Sequence, residues 1–250
     1  MSGRMGEEAV GEVIEASTTE FVAESRELHA PPPFGSFVKV PWNGEENLQG
    51  LSAIQLQPSA SEEDPFDSFR QSAGSFGSSY RDVVEGQEPD ETHPGLAPAI
   101  YAVVHQATTG PADSGRRLRA YWKDEEQLNE EQPELSEWLL VTNFSAIVIG
   151  YSANGKVRQF VPPQPPKLHL PVNPCTADEI RLITRRMDFL RTLSNFTTAP
   201  SEEVVAACIR EANAARGGDF EFLVAAGKEL ANLFKDDYDR LQAIMRRVML

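Results

Sequence analysis

The apolar period of the chain changes once, and that change divides what it can fold into. Up to Val161 the apolar residues alternate or gather in short β-branched and aromatic runs, whereas beyond Cys175 they recur every three or four residues. Alternation places side chains on one face of a strand, and a three-to-four spacing lines one stripe of a helix. The expectation is an α+β chain with β structure in front and helices behind.

In the front half, GEVIEASTTEF from Gly11 and a second run over Phe21 to Ala23 read as a hairpin turned at Ser17-Thr18-Thr19. Pro31, Pro32 and Pro33 forbid a helix, and Gly35 permits a turn before a strand at Phe37 to Val40. AIYAVVHQATT over 99–109 reads as a further strand with a turn at Gly110-Pro111. From Lys123 to Leu140, Glu, Gln and Leu predict two short helices parted by Pro133. FSAIVIGYSANGKVRQFVPP then predicts two strands joined at Ala153 to Lys156, where Asn154-Gly155 suits the positive φ angles of a tight hairpin. PPQPP over 162–166 is an extended linker.

Behind the linker, Thr176 and Glu179 form a capping box opening an amphipathic helix over 177–195. Pro200-Ser201 starts a second helix that Gly217-Gly218 stops. A third carries Leu223, Leu230 and Phe234, and a fourth carries Tyr238, Leu241, Ile244 and Val248. Short connections predict a compact helical bundle. The acids of 235–240 lack the spacing of a calcium loop and suit a helix N-terminus.

Charge is unevenly placed. The formal net charge is -15, and residues 1–100 hold 18 acids against 5 bases. Such a field disfavours general binding to nucleic acid or anionic lipid. Residues 43–95 concentrate the imbalance, with 11 acids against Arg70 and Arg81. Their composition predicts a mobile acidic insertion, with a short strand at Leu51 to Leu56.

Cys175 and Cys208 lack CxxC or His companions, so two reduced thiols are expected. Runs such as Ala146 to Tyr151 fall far short of the roughly 20 residues that span a bilayer. MSGRMGEEAV has no apolar core of a secretory signal, which makes the cytoplasm or an equivalent reducing compartment the expected location.

GEVIEASTTEF, APPPFGSFVKV and AIYAVVHQATTGP resemble the N-terminal barrel shared by HerA-type DNA-translocating ATPases and rotary ATP synthases, the HAS barrel. QFVPPQPPKLH, MDFLRTL and LFKDDYDRL extend the resemblance to cyanobacterial HAS-barrel proteins that end in helices and carry no ATPase domain. The resemblance implies a small closed β barrel over 9–166, bearing the acidic insertion at about 43–95, and a helical bundle over 167–250. It also implies a role in assembly or docking of accessory proteins, with an ATP synthase or another ATPase assembly as a partner to consider.

No residues supply an engine of the chain's own. Gly155-Lys156-Val157 and Gly227-Lys228-Glu229 lack both the spacing of a phosphate-cradling loop and its magnesium-binding hydroxyl. His105, with Thr108, Thr109, Asp113 and Ser114 nearby in sequence, offers a nucleophile, base and orienter on paper, yet no nucleophile elbow accompanies them. His29, His93 and His169 are isolated, so neither a metal nor any other cofactor is expected.

Two basic groups remain as candidate partner-binding residues. Arg116, Arg117 and Arg119 lie after the 99–109 strand with Lys123 close by, and Arg181 and Arg185, with Arg186, mark the polar side of the first rear helix. The leading expectation is a non-catalytic protein-docking or assembly module. An accessory subunit of a DNA-processing ATPase or nuclease, and a hydrolase built on His105, are the alternatives.

Overall fold

The computed structural model of the protein describes residues 9–42, 92–113, 115–135 and 139–249. Most of the 43–95 insertion, including the strand expected at Leu51 to Leu56, lies outside the described residues, as does Ser114.

The first hairpin pairs β1 (Gly11–Ala16) with β2 (Glu20–Ser25). Ser17 fixes its turn by donating to Glu20 O at 2.8 Å and accepting from Glu20 N–H at 3.0 Å. Then come β3 (Phe37–Pro41), β4 (Ala99–Pro111), β5 (Leu140–Ala153), β6 (Lys156–Arg158) and β7 (Pro171–Pro174). The order β2-β1-β7-β3-β4-β5, with β2 also paired to β5, closes a six-stranded antiparallel barrel. β6 folds back on β5 through a turn in which Asn154 and Gly155 have φ of 51° and 72°. Both positive angles belong to the hairpin turn expected there.

One barrel strand was not foreseen. β7 follows the Pro-rich linker, past residue 166, and fills the gap between β1 and β3 with two paired positions on each side. Four residues with two prolines carry no alternating signal, and so short a ladder tolerates prolines at its ends. Nor does β4 turn at Gly110-Pro111. Those residues pair with Val141 and Leu140, and the strand continues to Pro111.

Alternation along the wall feeds two cores. Val38, Val40, Ile100, Ala102, Val104 and Val148 point into the barrel. Their neighbours Phe37, Tyr101, Val103, Ile147 and Ile149 point out, into a second core shared with the helices. β4 is therefore buried without interruption from Ala99 to His105, as expected of a strand covered on both faces. Gly35 marks a close approach of the barrel to a rear helix. Its φ is 84°, and a Cβ there would lie 2.4 Å from Ala207 Cβ.

The rear helices are α2 (Ala177–Ile183), α3 (Asp188–Ser194), α4 (Ser201–Ala214), α5 (Phe220–Leu233) and α6 (Tyr238–Val248), preceded at the front by α1 (Glu125–Glu131). α1 ends ahead of Pro133, and the second helix expected beyond it falls partly on residues outside those described. The capping box at Thr176 and Glu179 is formed.

The single helix expected over 177–195 is broken in two, and the side chain of Gln159, just past β6, bonds to the backbone on both sides of the break. Gln159 donates to the carbonyls of Ile183 and Arg186 and accepts from Phe189 N–H at 3.0 Å. It thus satisfies the end of one helix and the start of the next. Farther on, Arg240 ties α6 to α4 through Glu202 at 2.5 Å and Ser201 at 2.5 Å, and Arg247 does the same through Glu203 at 2.5 Å. Asp237 caps α6 by accepting from Arg240 N–H at 3.1 Å.

Both cysteines are free thiols. Burial, with Glu179 beside it, pushes the Cys175 thiol far up, and burial does the same to Cys208. Thiols held protonated in this way are poor nucleophiles. Among the described residues no helix is long and apolar enough to cross a membrane.

Candidate functional site

β4 and β5 are longer than the barrel needs. Their far ends, residues 109–111 and 140–142, run past the last β2 pairing at Glu24 and Asn143 as an arm, with His29 N–H donating to Thr142 Oγ1 at 3.0 Å, and the excursion between them carries residues 112–139. A turn closes the tip of β4, with Arg116 N–H bonded to Asp113 O at 3.0 Å and Gly115 N–H to Asp113 Oδ1 at 2.9 Å. Residues 116–124 then run without regular structure, and every one of them is exposed.

Arg116, Arg117 and Arg119 all lie on this segment. Among the described residues none of the three guanidinium groups has an ion-pair or hydrogen-bond partner. The nearest acids in sequence are already in use, since Asp113 holds the turn and Asp124 caps α1 through Gln127 N–H at 2.8 Å. Lys123 pairs with Glu131 on α1. The excursion is thus polarised, with positive charge at 116–119 that is unpaired among the described residues and an acidic helix after it.

Aromatic and apolar side chains share the segment, and charge-based reading passed over them. Leu118, Tyr121 and Trp122 are 43%, 41% and 95% exposed. Trp122 also has a φ of 56°, a conformation that costs an L-residue of its bulk about 1 kcal/mol or more. The signal was present in RRLRAYWK, where Leu118 lies between arginines and Tyr121 and Trp122 follow them. Exposed aromatics beside arginines are the composition of interface anchors.

The other candidates sit elsewhere and are differently engaged. Arg181, on α2, pairs with Asp178 at 2.8 Å, and Arg186 pairs with Asp188 at 2.9 Å. Arg185, in the break after α2, is not free either. The structure does not bring this group together with the Arg116 group on one element.

His105 is the extra residue of a bulge in β4, and its side chain is wholly buried. Nε2 lies 2.7 Å from Glu20 Oε1, and the ring packs edge-on against Phe196. Because a carboxylate only accepts, His105 Nε2–H donates to Glu20, while Nδ1 is buried with no hydrogen-bond partner among the described residues. Thr109, for its part, shares its hydroxyl hydrogen bond with Thr142 at 2.8 Å. Two residues of the imagined hydrolase site, His105 and Thr109, thus bond to Glu20 and Thr142. Among the described residues no cluster of three His, Cys, Asp or Glu side chains could hold a metal ion.

The class that fold and site define is a closed six-stranded antiparallel barrel with a helical region packed on its wall and a basic, aromatic arm at one end. No protein-family model matches the chain, and no curated protein matches it either.

Proposed function

We propose that the protein is a non-catalytic docking or assembly module that engages a protein partner through the arm segment at 116–122. The observation that carries this reading is the pairing of three guanidinium groups that have no partner among the described residues with exposed Leu118, Tyr121 and Trp122 on a chain of net charge -15. A positive spot on a negative body steers an acidic surface to it and disfavours other orientations. Arginine forks then take carboxylates in pairs, and the aromatic side chains supply the area that charge alone does not. The closed barrel is the fold implied by the HAS resemblance, which supports an assembly role, with an ATP synthase or another ATPase assembly as the partner class and the cytoplasm as the location.

The test is recovery of a stoichiometric partner from cell extract by the full chain and by the Arg116→Glu, Arg117→Glu double variant. Recovery falls severalfold in the variant and declines as salt rises. Equal recovery by both proteins would falsify the reading and move attention to Arg181 on α2 and Arg185 just after it. Salt-dependent retention on DNA, lost in the same variant, would instead favour the DNA-processing accessory role. Substrate turnover abolished by His105→Ala would favour a hydrolase.

A further inference from the structure

The far part of β4 leaves a stretch of sheet edge without a neighbouring strand among the described residues. β3 accompanies β4 as far as Phe37, opposite Val103. Its line ends where Ser36 O accepts from Val104 N–H at 3.0 Å and Gly35 N–H donates to Val104 O at 2.8 Å. Beyond the bulge at His105, β4 continues to Pro111 with β5 on one side and, among the described residues, no strand on the other.

Two anchors fix which backbone groups face that open side. Ala112 N–H bonds to Leu139 O at 2.9 Å, which turns residue 112 toward β5. Thr109 and Thr142 stand directly opposite, their hydroxyls in contact, as in the closely spaced pairs that exchange no backbone bonds. Alternation then turns Gln106, Thr108 and Gly110 toward β5, and Ala107 and Thr109 away from it. Pro111 falls on the outward set too, where its missing N–H costs the existing ladder nothing.

Such an edge is usually blunted by charge, proline or a bulge. From Gln106 to Gly110 there is none of these, and residues 106–109 are exposed. Beyond Pro111 come the three guanidinium groups that have no partner among the described residues. At the other end stands Phe34, 46% exposed, at the corner where the line of β3 stops.

We propose that the edge from Ala107 to Thr109 accepts an extended, carboxylate-bearing segment of a partner protein as an added strand, with Arg116, Arg117 and Arg119 receiving its acidic side chains. This rests on the docking reading above and specifies its mode. Strand addition takes its bonds from the main chain and its selectivity from the side chains that meet it. The N–H and C=O groups of Ala107 and Thr109 recur about 7 Å apart, so a segment of about three to five residues spans them. Charge selects the occupant. A second copy of this chain would set one uncharged edge against another and leave the arginines unanswered, whereas an acidic segment answers both features at once.

The experiment uses the full-length protein labelled with ¹⁵N and three synthetic peptides of about eight residues, a length that covers the edge with margin. The first alternates glutamate with valine, the second replaces each glutamate by lysine, and the third is the glutamate peptide with alternate backbone nitrogens methylated. The glutamate peptide shifts the Ala107 and Thr109 amide resonances and slows their hydrogen exchange about tenfold. The lysine and methylated peptides each bind about tenfold more weakly. In the Arg116→Glu, Arg117→Glu variant the preference passes to the lysine peptide while Ala107 and Thr109 still respond.

Equal binding of the methylated peptide would overturn strand addition and leave charge docking intact. Edge responses indifferent both to peptide charge and to the arginine reversal would overturn the acidic occupant and the docking reading together. No response of Ala107 and Thr109 to any peptide at millimolar concentration would overturn the proposal. So would slow exchange of these amides in a free protein that proves dimeric, because a second copy would then occupy the edge.

Discussion

The two halves of β4 use one strand for opposite purposes. From Ala99 to His105 every residue is buried, with Ile100, Ala102 and Val104 inside the barrel and Tyr101 and Val103 under the helices. From Gln106 to Thr109 every residue is exposed, and one backbone edge has no strand beside it among the described residues. The bulge at His105 marks the border. The first half contributes stability and the second contributes accessible surface, which is the division expected when a rigid scaffold presents a binding segment.

That comparison is broken or sharpened by graded substitutions. The largest effect is expected from Phe189→Ala, which opens a cavity where α3 meets the barrel wall and costs about 3–5 kcal/mol in denaturant unfolding. Because barrel and helices share that core, the unfolding stays a single transition. Two separated transitions would show that the buried half of β4 does not couple the two regions.

Gln159→Ala should cost about 2 kcal/mol, since it strips the last carbonyl of α2, one carbonyl in the break and one N–H of α3 of their partner. Circular dichroism and thermal unfolding check it. A change within error would mean that water replaces the side chain at the helix break.

Glu179→Gln tests the link between β3 and α2, where Lys39 Nζ lies 2.5 Å from Glu179 Oε1. Burial acts to raise this carboxyl, but the Lys39 hydrogen bond, the Thr176 N–H and the Lys39 charge together hold it below the usual range. A depressed folded value stabilises the protein above the unfolded pKa, about 4.3, and that contribution is lost as pH falls through the folded value. The variant should therefore be less stable by about 1.5 kcal/mol at pH 7, with the difference shrinking below about pH 4. A pH-independent difference would assign the loss to packing instead.

The smallest effects belong to the arm. Trp122→Gly relieves a positive φ and removes an exposed ring, so stability should stay within about 1 kcal/mol while partner recovery falls. The Arg116→Glu, Arg117→Glu variant should likewise keep its stability within about 1 kcal/mol. A large loss of stability in either would mean that the arm packs on the body.

Local chemistry made much of this legible in advance. Asn154-Gly155 announced its hairpin because few residues accept two positive φ angles in succession. Thr176 and Glu179 announced a helix start because each satisfies a backbone N–H of the other's end. Arg116, Arg117 and Arg119 were visible as a basic run. Their lack of partners among the described residues was not, since it depends on Asp113 and Asp124 being occupied elsewhere.

Other features had no local signal at all. The break between α2 and α3 is bonded on both sides by Gln159, which is remote in sequence from the carbonyls it satisfies. β7 exists because a gap between β1 and β3 needed filling, not because PVNP favours a strand. The exposure of Trp122 follows from how far β4 and β5 outrun the barrel.

The sequence by itself determined the period change, the turns, the caps and the separation of charge, because each depends on residues a few positions apart. Only the tertiary structure decided which strand closed the barrel, which face of the wall met the helices and which edge has no strand beside it among the described residues. Those outcomes depend on pairing between distant segments, and the main-chain groups that pair are the same in every residue except proline.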